Sequence, residues 1–219
     1  MYVKLIMKRD LVTIRPDTHF YEARWIIQEK GIRHLPVVDE SRRILGMVTN
    51  FDIRSAAPAD SSMSLQDLAF TLGKLKAASF MTPVEKLVTV TPDTIIEKAV
   101  QLMHERKVSC LPVLDNGQEL VGLVTETDIL ATFVDVMGLK EKGTRLTVAL
   151  EDEPGKLFGV LEVIKRYDVN VASIYSPTFT VEGKRMAVIR IKTQESEGIV
   201  KDLEKIGYKV ESVQKWPSM

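Results

Sequence analysis

Two hydrophobic periods alternate along the chain. Ile96, Ala99, Val100 and Met103 fall at i, i+3, i+4, i+7, the spacing of one helix face. The short β-branched runs "LVTI" from Leu11 and "LVTV" from Leu87 each precede Pro-Asp-Thr, whose Asp and Thr suit a helix start. "LPVV" and "LPVL" follow, then a polar turn ("DESRR" or "DNGQ"), then "ILGMV" or "LVGLV". This order predicts two strands joined as a hairpin. A further helix is expected to start near Thr49 and again near Thr125, so the order β-α-β-β-α occurs twice.

A shift of 76 residues lays one copy on the other. Ala23 falls on Ala99, Pro36 on Pro112, Asp39 on Asp115, Gly46 on Gly122, Thr49 on Thr125 and Asp52 on Asp128. One such unit is too small to cover both faces of its sheet, so the copies are expected to pack against each other. The first copy is assigned residues 1–60 and the second 81–136. Between them, within 61–80, Ser64 to Phe80 reads as a connecting helix weakened by Gly73. After a charged linker at 137–143 the pattern changes. Over 144–216, "RLTVALEDEPGKL" gives a strand, a turn and a helix with Leu157, Val160, Leu161 and Ile164 on one face. Strands "VNVASIYS" and "RMAVIRIK" then flank a Gly183-Lys184 hairpin, and a second helix and the strand "YKVESV" follow. The expected fold class is α/β (α+β), with a βαββαβ ferredoxin-like sandwich at the end.

Composition narrows function by exclusion. Thirty basic and thirty acidic residues cancel, which lacks the basic footprint of a nucleic-acid binder. No apolar run has the length of a membrane span, and the N-terminus lacks a signal-peptide pattern, so a cytoplasmic protein is expected. Cys110 is the only cysteine, which rules out an internal disulfide and a CxxC site. In an apolar strand it reads as a buried, inert thiol. No Walker or dinucleotide loop, no G-x-S-x-G and no H-E-x-x-H occurs, and His19, His34 and His104 share no metal spacing. The Arg42-Arg43 turn reads as solvated. The chain is therefore expected to be non-catalytic and to need no cofactor or metal.

The repeat, with "GIRHLPVVD" and "GMVTNFDI" in one copy and "VSCLPVLD" and "GLVTETDI" in the other, resembles paired CBS motifs, the Bateman module, over roughly residues 1 to 135. The last segment is similar to an ACT domain in its "EDEPGKL" turn, in Asn170 and in its strand order. The combined motif order resembles acetoin utilization proteins of the AcuB type.

Thr-x-x-Asp has a structural meaning in both copies. The hydroxyl caps a helix start and the carboxylate favours its positive end. The same arrangement can hold phosphate and vicinal hydroxyls. The resemblance implies an adenosine ligand, with Asp52 and Asp128 on ribose and Thr49 and Thr125 near phosphate. It places Ile32, His34, Val108 and Cys110 beside adenine, with Pro36 and Pro112 in the adjoining strands and Thr13 and Thr89 contributing from the first strands. Arg33 and His34 are expected to add donors in the first copy, where the second has Ser109 and Cys110, and Glu126 adds negative charge near Thr125. The Thr49/Asp52 site is therefore expected to prefer phosphorylated nucleotides. In the ACT-like segment, the resemblance implies that Asp152, Pro154, Gly155 and Leu157 form a loop that presents backbone N–H groups to an amino acid, usually at a subunit interface, with Asn170 as a side-chain contact. The structural reading, in which Gly155 permits close backbone approach at a strand-to-helix turn, is favoured over amino-acid binding. The resulting expectation is a regulatory homodimer that senses an adenine nucleotide and acts on a protein partner. The alternatives are a ligand-free scaffold and an enzyme with an unrecognised site.

Overall fold

The computed structural model describes residues 1–56, 64–115, 118–177, 180–181 and 183–216. The chain divides into two compact units, Met1–Ile129 and Leu130–Met219. In unit 1 the first copy contains α1 (Phe20–Glu29), the antiparallel hairpin β1 (His34–Val38) and β2 (Ile44–Thr49), and α2 (Asn50–Ser55). Two helices follow, α3 (Leu65–Lys74) and α4 (Ala77–Phe80). The connecting helix is therefore broken at Leu75 and Lys76, both in extended conformation. The short β3 (Thr82–Pro83) leads into the second copy, which holds α5 (Ile96–Arg106), hairpin β4 (Cys110–Leu114) and β5 (Leu120–Thr125), and α6 (Glu126–Val136). The first strand of each copy is one parallel bridge, Ile14 to Val37 and Val90 to Val113.

Pro-Asp-Thr does not cap α1 or α5, contrary to the sequence expectation. Thr18 Oγ1 accepts from Arg15 N at 3.1 Å and Thr94 Oγ1 from Thr91 N at 3.0 Å, so each threonine closes the turn ahead of its helix. The helices begin after His19 and Ile95, neither of which caps with a side chain.

The copies exchange their leading segments. Val3 N donates to Thr94 O, Lys4 N to Pro92 O and Ile96 N to Met1 O; in mirror fashion Ala77 N donates to Thr18 O, Ala78 N to Pro16 O and Phe20 N to Leu75 O. Val3 and Met7 accordingly lie in the core of the second copy with Ala99, Met103, Leu111 and Val113. Ala77, Phe80 and Met81 join the core of the first, with Ala23, Ile27, Leu35 and Val37. Residues 1–8, assigned by sequence to the first copy, thus complete the second. A third cluster, with Val38, Ile44, Met47, Cys110, Leu120 and Leu123, is shared by both hairpins. Their tips also join: Ile44 N donates to Gln118 O and Leu120 N to Arg42 O, so the Arg42-Arg43 turn is exposed in its side chains while its backbone bonds to the other copy.

Each exchanged leader crosses a glycine. A Cβ on Gly46 would lie 2.6 Å from both Met81 Sδ and the Thr82 carbonyl oxygen, whereas one on Gly122 would lie 2.7 Å from Met7 Sδ but 3.1 Å from the nearest backbone oxygen. A methionine end can swing away and a carbonyl held in a ladder cannot. Gly46→Ala is therefore expected to cost about 2–3 kcal/mol, in the range for overpacking, and Gly122→Ala distinctly less; urea unfolding of the two variants checks the order.

In unit 2, β6 (Gly143–Leu150), α7 (Lys156–Arg166), β7 (Val171–Tyr175), β8 (Thr180–Val181), β9 (Lys184–Ile191), α8 (Glu197–Lys205) and β10 (Lys209–Trp216) follow the C-terminal part of α6. The sheet order is β10-β6-β9-β7, antiparallel throughout, with β8 added to β9. Without β8 this is the 4-1-3-2 order of the ferredoxin-like βαββαβ fold. Leu146, Val148, Ala187, Ile189 and Ile191 pack on Val160, Val163, Ile164, Ile199 and Leu203 of the helices. The expected linker at 137–143 is tied to this sheet. Ser173 Oγ donates to Met137 O at 3.0 Å and Trp216 Nε1 to Leu139 O at 2.8 Å.

Candidate functional site

Both Thr-x-x-Asp segments form the same cap. Thr49 N and Thr49 Oγ1 donate to Asp52 Oδ2 at 2.8 and 2.6 Å, and Asp52 N donates back to Thr49 Oγ1 at 3.3 Å. For Thr125 and Asp128 the distances are 2.9, 2.6 and 3.4 Å. Each threonine ends a strand and each aspartate lies in the first turn of α2 or α6, the geometry of a capping box.

The exchanged leaders decide what faces these caps. Lys8 pairs with Leu123 of β5, so the chain passes the second copy's Thr125 on its way into the first copy's strand. The resulting cleft, about 310 Å³, is lined by Lys8, Asp10, Leu11, Val12, Ile32, Arg33, His34, Leu123, Thr125 and Thr127. Thr82 pairs with Met47 of β2, and a second cleft, about 210 Å³, is lined by Met47, Thr49, Thr82, Lys86, Leu87, Val88, Lys107, Val108, Ser109, Cys110 and Pro112, with His34 shared. The sequence reading groups residues within a copy. In these two clefts the structure sets Ile32, Arg33 and His34 with Thr125, and Val108, Ser109 and Cys110 with Thr49; Arg33 and His34 also line a third pocket, about 360 Å³, with Thr49 of their own copy, whose strand position pairs with His34. Pro36 is buried in β1, and Thr13 and Thr89 are half-buried, one position beyond the lining residues Val12 and Val88. A larger cavity, about 620 Å³, lies among α1, α2 and α3 with Arg24, Arg33 and Arg54, and contains neither Thr-x-x-Asp pair.

The electrostatics of the clefts differ. The Thr125 cleft is lined by Lys8, Arg33 and Asp10, and Lys8 Nζ also lies 3.5 Å from Oδ1 of Asp128, which, like Asp52, is not itself a lining residue of its cleft. The Thr49 cleft carries Lys86 and Lys107 and no acid among its lining residues. Sequence reasoning missed both lysines. Lys107 holds a left-handed φ of 53° where the first copy has Gly31 at 60°. A lysine in a conformation that suits glycine was the available signal.

His34 and Ser109 join the clefts through a 3.0 Å contact between Nε2 and Oγ, and Arg33 Nη2 donates to Thr127 Oγ1 at 3.2 Å. Burial, then the neighbouring Arg33 charge, lowers the His34 pKa below its ordinary 6.5. The unfolded chain then binds a proton more readily than the folded one. Stability supplied by neutral His34 is fully present above pH 6.5 and is lost as pH falls below it. Denaturant midpoints at pH 7.5 and 5.5 should accordingly differ less in His34→Gln than in the parent chain. Burial, then Asp128, pushes the Cys110 thiol up to about 12, which leaves it protonated at neutral pH.

The loop of unit 2 offers less to a ligand. Asp152 is paired with Arg185 at 3.1 Å, and Lys156 with Glu151 and Glu153 at 2.7 and 3.3 Å, so three carboxylates crowd the place where an amino-acid carboxylate would bind. Gly155 has φ +87°, and a Cβ added there would meet nothing within 4 Å. Its left-handed conformation, rather than close backbone approach, is the reason for glycine there. Pro154 is exposed in the same turn and Leu157 packs against the core. Asn170 O accepts from Lys192 N, beyond the Val171–Ile191 pair, whereas the loop follows the Leu150–Arg185 pair at the other end of β6. At the rise of a strand these ends lie about 20 Å apart, so one chain does not bring Asn170 to the loop. Among the described residues no group of three His, Cys, Asp or Glu side chains is placed to hold a metal ion, and no helix is long and apolar enough to cross a membrane.

Comparison with known proteins matches the CBS domain family over residues 3–59 and 77–135. A CBS domain-containing protein of Dictyostelium discoideum is 33% identical over 62% of this chain and 92% of its own. A homoserine O-acetyltransferase of Methanohalobium evestigatum is 36% identical over 58% of this chain but 23% of its own, so the chain spans about a quarter of that enzyme's length. A CBS domain pair solved with 5′-methylthioadenosine and S-adenosyl-L-methionine is 27% identical with a TM-score of 0.50, covering 61% of this chain and 95% of that one. CBSX2 of Arabidopsis thaliana, solved with AMP, is 26% identical with a TM-score of 0.52 over 61% and 96%. The Vibrio cholerae protein named AcuB shares the fold at 23% identity and TM-score 0.53 over 64% and 94%.

Proposed function

The chain belongs to the CBS domain family, and on that premise we propose that its paired copies are a non-catalytic regulatory module that senses adenosine-containing ligands in the two composite clefts. The carrying observation is convergence. Each cleft joins a Thr-x-x-Asp cap of one copy to apolar strand residues of the other; the Thr125 cleft is at the lower end of the size range of small-molecule sites and the Thr49 cleft is below it. Capping occupies Oδ2 of each aspartate, which directs ribose hydroxyls to Oδ1 of Asp52 in one cleft and, in the other, to the Asp128 Oδ1 that also faces Lys8. Ile32 and Leu11 flank the base in one cleft, Val108 and Leu87 in the other. Lys86 and Lys107 suit the Thr49 cleft to a phosphorylated adenosine such as AMP. The Thr125 cleft, where Asp10 offsets part of the charge of Lys8 and Arg33, suits a less anionic derivative, such as a thioether nucleoside. The similar structures solved with AMP and with methylthioadenosine and S-adenosylmethionine support both ligand classes.

Binding between the copies favours whichever relative arrangement closes on the ligand, and only a difference in affinity between arrangements produces a signal. The ferredoxin-like unit is assigned to dimerisation, as an ACT-like module, through its sheet edges β7 and β10. Regulation of a separate metabolic enzyme, with acetoin metabolism as the pathway suggested by motif order, completes the reading.

Thermal unfolding of ligand-free protein with AMP, ATP, 5′-methylthioadenosine or S-adenosylmethionine tests it. A ligand at a hundred times its Kd adds about 2.7 kcal/mol. Each threonine hydroxyl already donates to its own aspartate, which favours a ligand-free scaffold as the second reading. The absence of any stabilisation selects that reading, and turnover of a candidate substrate by the purified chain selects an enzyme over both.

A further inference from the structure

On the sheet of unit 2, Arg190 of β9 stands directly opposite Arg145 of β6. Like charges in that register repel. Arg190 is 6% exposed, and its Nη1 is buried without a hydrogen-bond partner among the described residues. A buried guanidinium nitrogen lacking an acceptor is costly and calls for an explanation. The one carboxylate on the strands of this sheet, Glu211 of β10, is paired with Lys209, and the nearby Glu141 before β6 and Glu197 of α8 are paired with Lys192 and Lys215. The guanidinium lies 4.8 Å from the Trp216 ring, whose Nε1 is anchored on Leu139 O. Other polar groups share this face. Ser173 pairs with Arg190 across β7, and Thr147 Oγ1 accepts from both Arg145 Nη1 at 2.8 Å and Ser212 Oγ at 2.9 Å. With two donors directed at its oxygen, the Thr147 hydroxyl retains its own proton for donation.

We propose that this face binds a small oxyanion, a carboxylate or phosphoryl group, held between Arg190 and Arg145 with hydroxyl support from Thr147. Two guanidinium groups with no carboxylate between them match such a group in charge and geometry. Arg145, Thr147, Ser173 and Ser212 are only partly buried, which leaves an approach from solvent. The site is separate from the loop at 151–155, because β6 climbs about 17 Å from Arg145 to Leu150. It shares no residue with the adenosine clefts.

The test uses the full chain carrying Trp25→Phe, which leaves Trp216 as the sole tryptophan. Sodium phosphate and, separately, sodium acetate are titrated at ionic strength held constant with sodium chloride. The expected result is a saturable change in Trp216 emission, accompanied by thermal stabilisation, with one of the two anions. That anion distinguishes a phosphoryl from a carboxylate ligand. Both signals should weaken more than tenfold in Arg145→Gln and Arg190→Met. Because Arg145 is partly exposed, its variant keeps the test valid should Arg190→Met fold poorly. No saturable response to either anion, or an equal response in parent and Arg145→Gln, overturns the proposal.

Discussion

Asp52→Ala is expected to weaken AMP binding about 30-fold or more, whereas Asp128→Ala changes it less than about threefold. The Asp52 carboxylate, bonded to Thr49 at the edge of the cleft that carries Lys86 and Lys107, is the proposed ribose acceptor there. Each hydrogen bond to a charged group contributes about 1.5–3 kcal/mol, and 1.4 kcal/mol is tenfold in Kd. Asp128 belongs to the other cleft and already faces Lys8. Lys107→Asn, which removes the charge while keeping a residue tolerant of the left-handed conformation at that position, should cost AMP about tenfold. Calorimetry on variants first shown to be folded checks all three, since Asp52→Ala also loses a helix cap worth about 1 kcal/mol. Equal losses in Asp52→Ala and Asp128→Ala would end the proposed division of labour between the clefts.

Truncating the exchanged leader should damage the core of the second copy. Val3 is fully buried and Met7 8% exposed in the core of the second copy. Met7→Ala is expected to cost about 2–5 kcal/mol and Val3→Ala roughly 2 kcal/mol; the double variant falls short of their sum because they share one core. Leu5→Ala, at a position 67% exposed, should change stability by less than about 0.5 kcal/mol. Hydrogen exchange should place the lost protection of Met7→Ala at Leu111 and Val113. Loss confined instead to the first copy's Leu35 and Val37 would contradict the exchange.

Much of this fold is legible in the sequence because local chemistry recurs at one spacing. Thr49 and Asp52, and Thr125 and Asp128, form the capping boxes that their three-residue separation predicts. The apolar runs around Pro36 and Pro112 form the expected hairpins. The leader exchange is not legible at that spacing. Ile6-Met7 matches Phe80-Met81 at a shift of 74 residues, while the bodies match at 76, so two extra residues before Leu87 hide the repeated apolar-Met pair. That omission carried the cleft assignments with it, since a pattern within one copy cannot show which copy its leader visits. Thr18 and Thr94 were ambiguous for another reason, because a hydroxyl three residues after a turn residue serves a turn as well as a cap. Nor does sequence reveal that Arg145 and Arg190 meet, because only strand register sets them opposite each other.

If the clefts between the copies bind adenosine ligands, calorimetric titration of AMP into ligand-free full chain gives saturable heat that is lost in Asp52→Ala and retained in Asp128→Ala. No heat in protein shown to carry no bound nucleotide, or heat unchanged in Asp52→Ala, would contradict that binding.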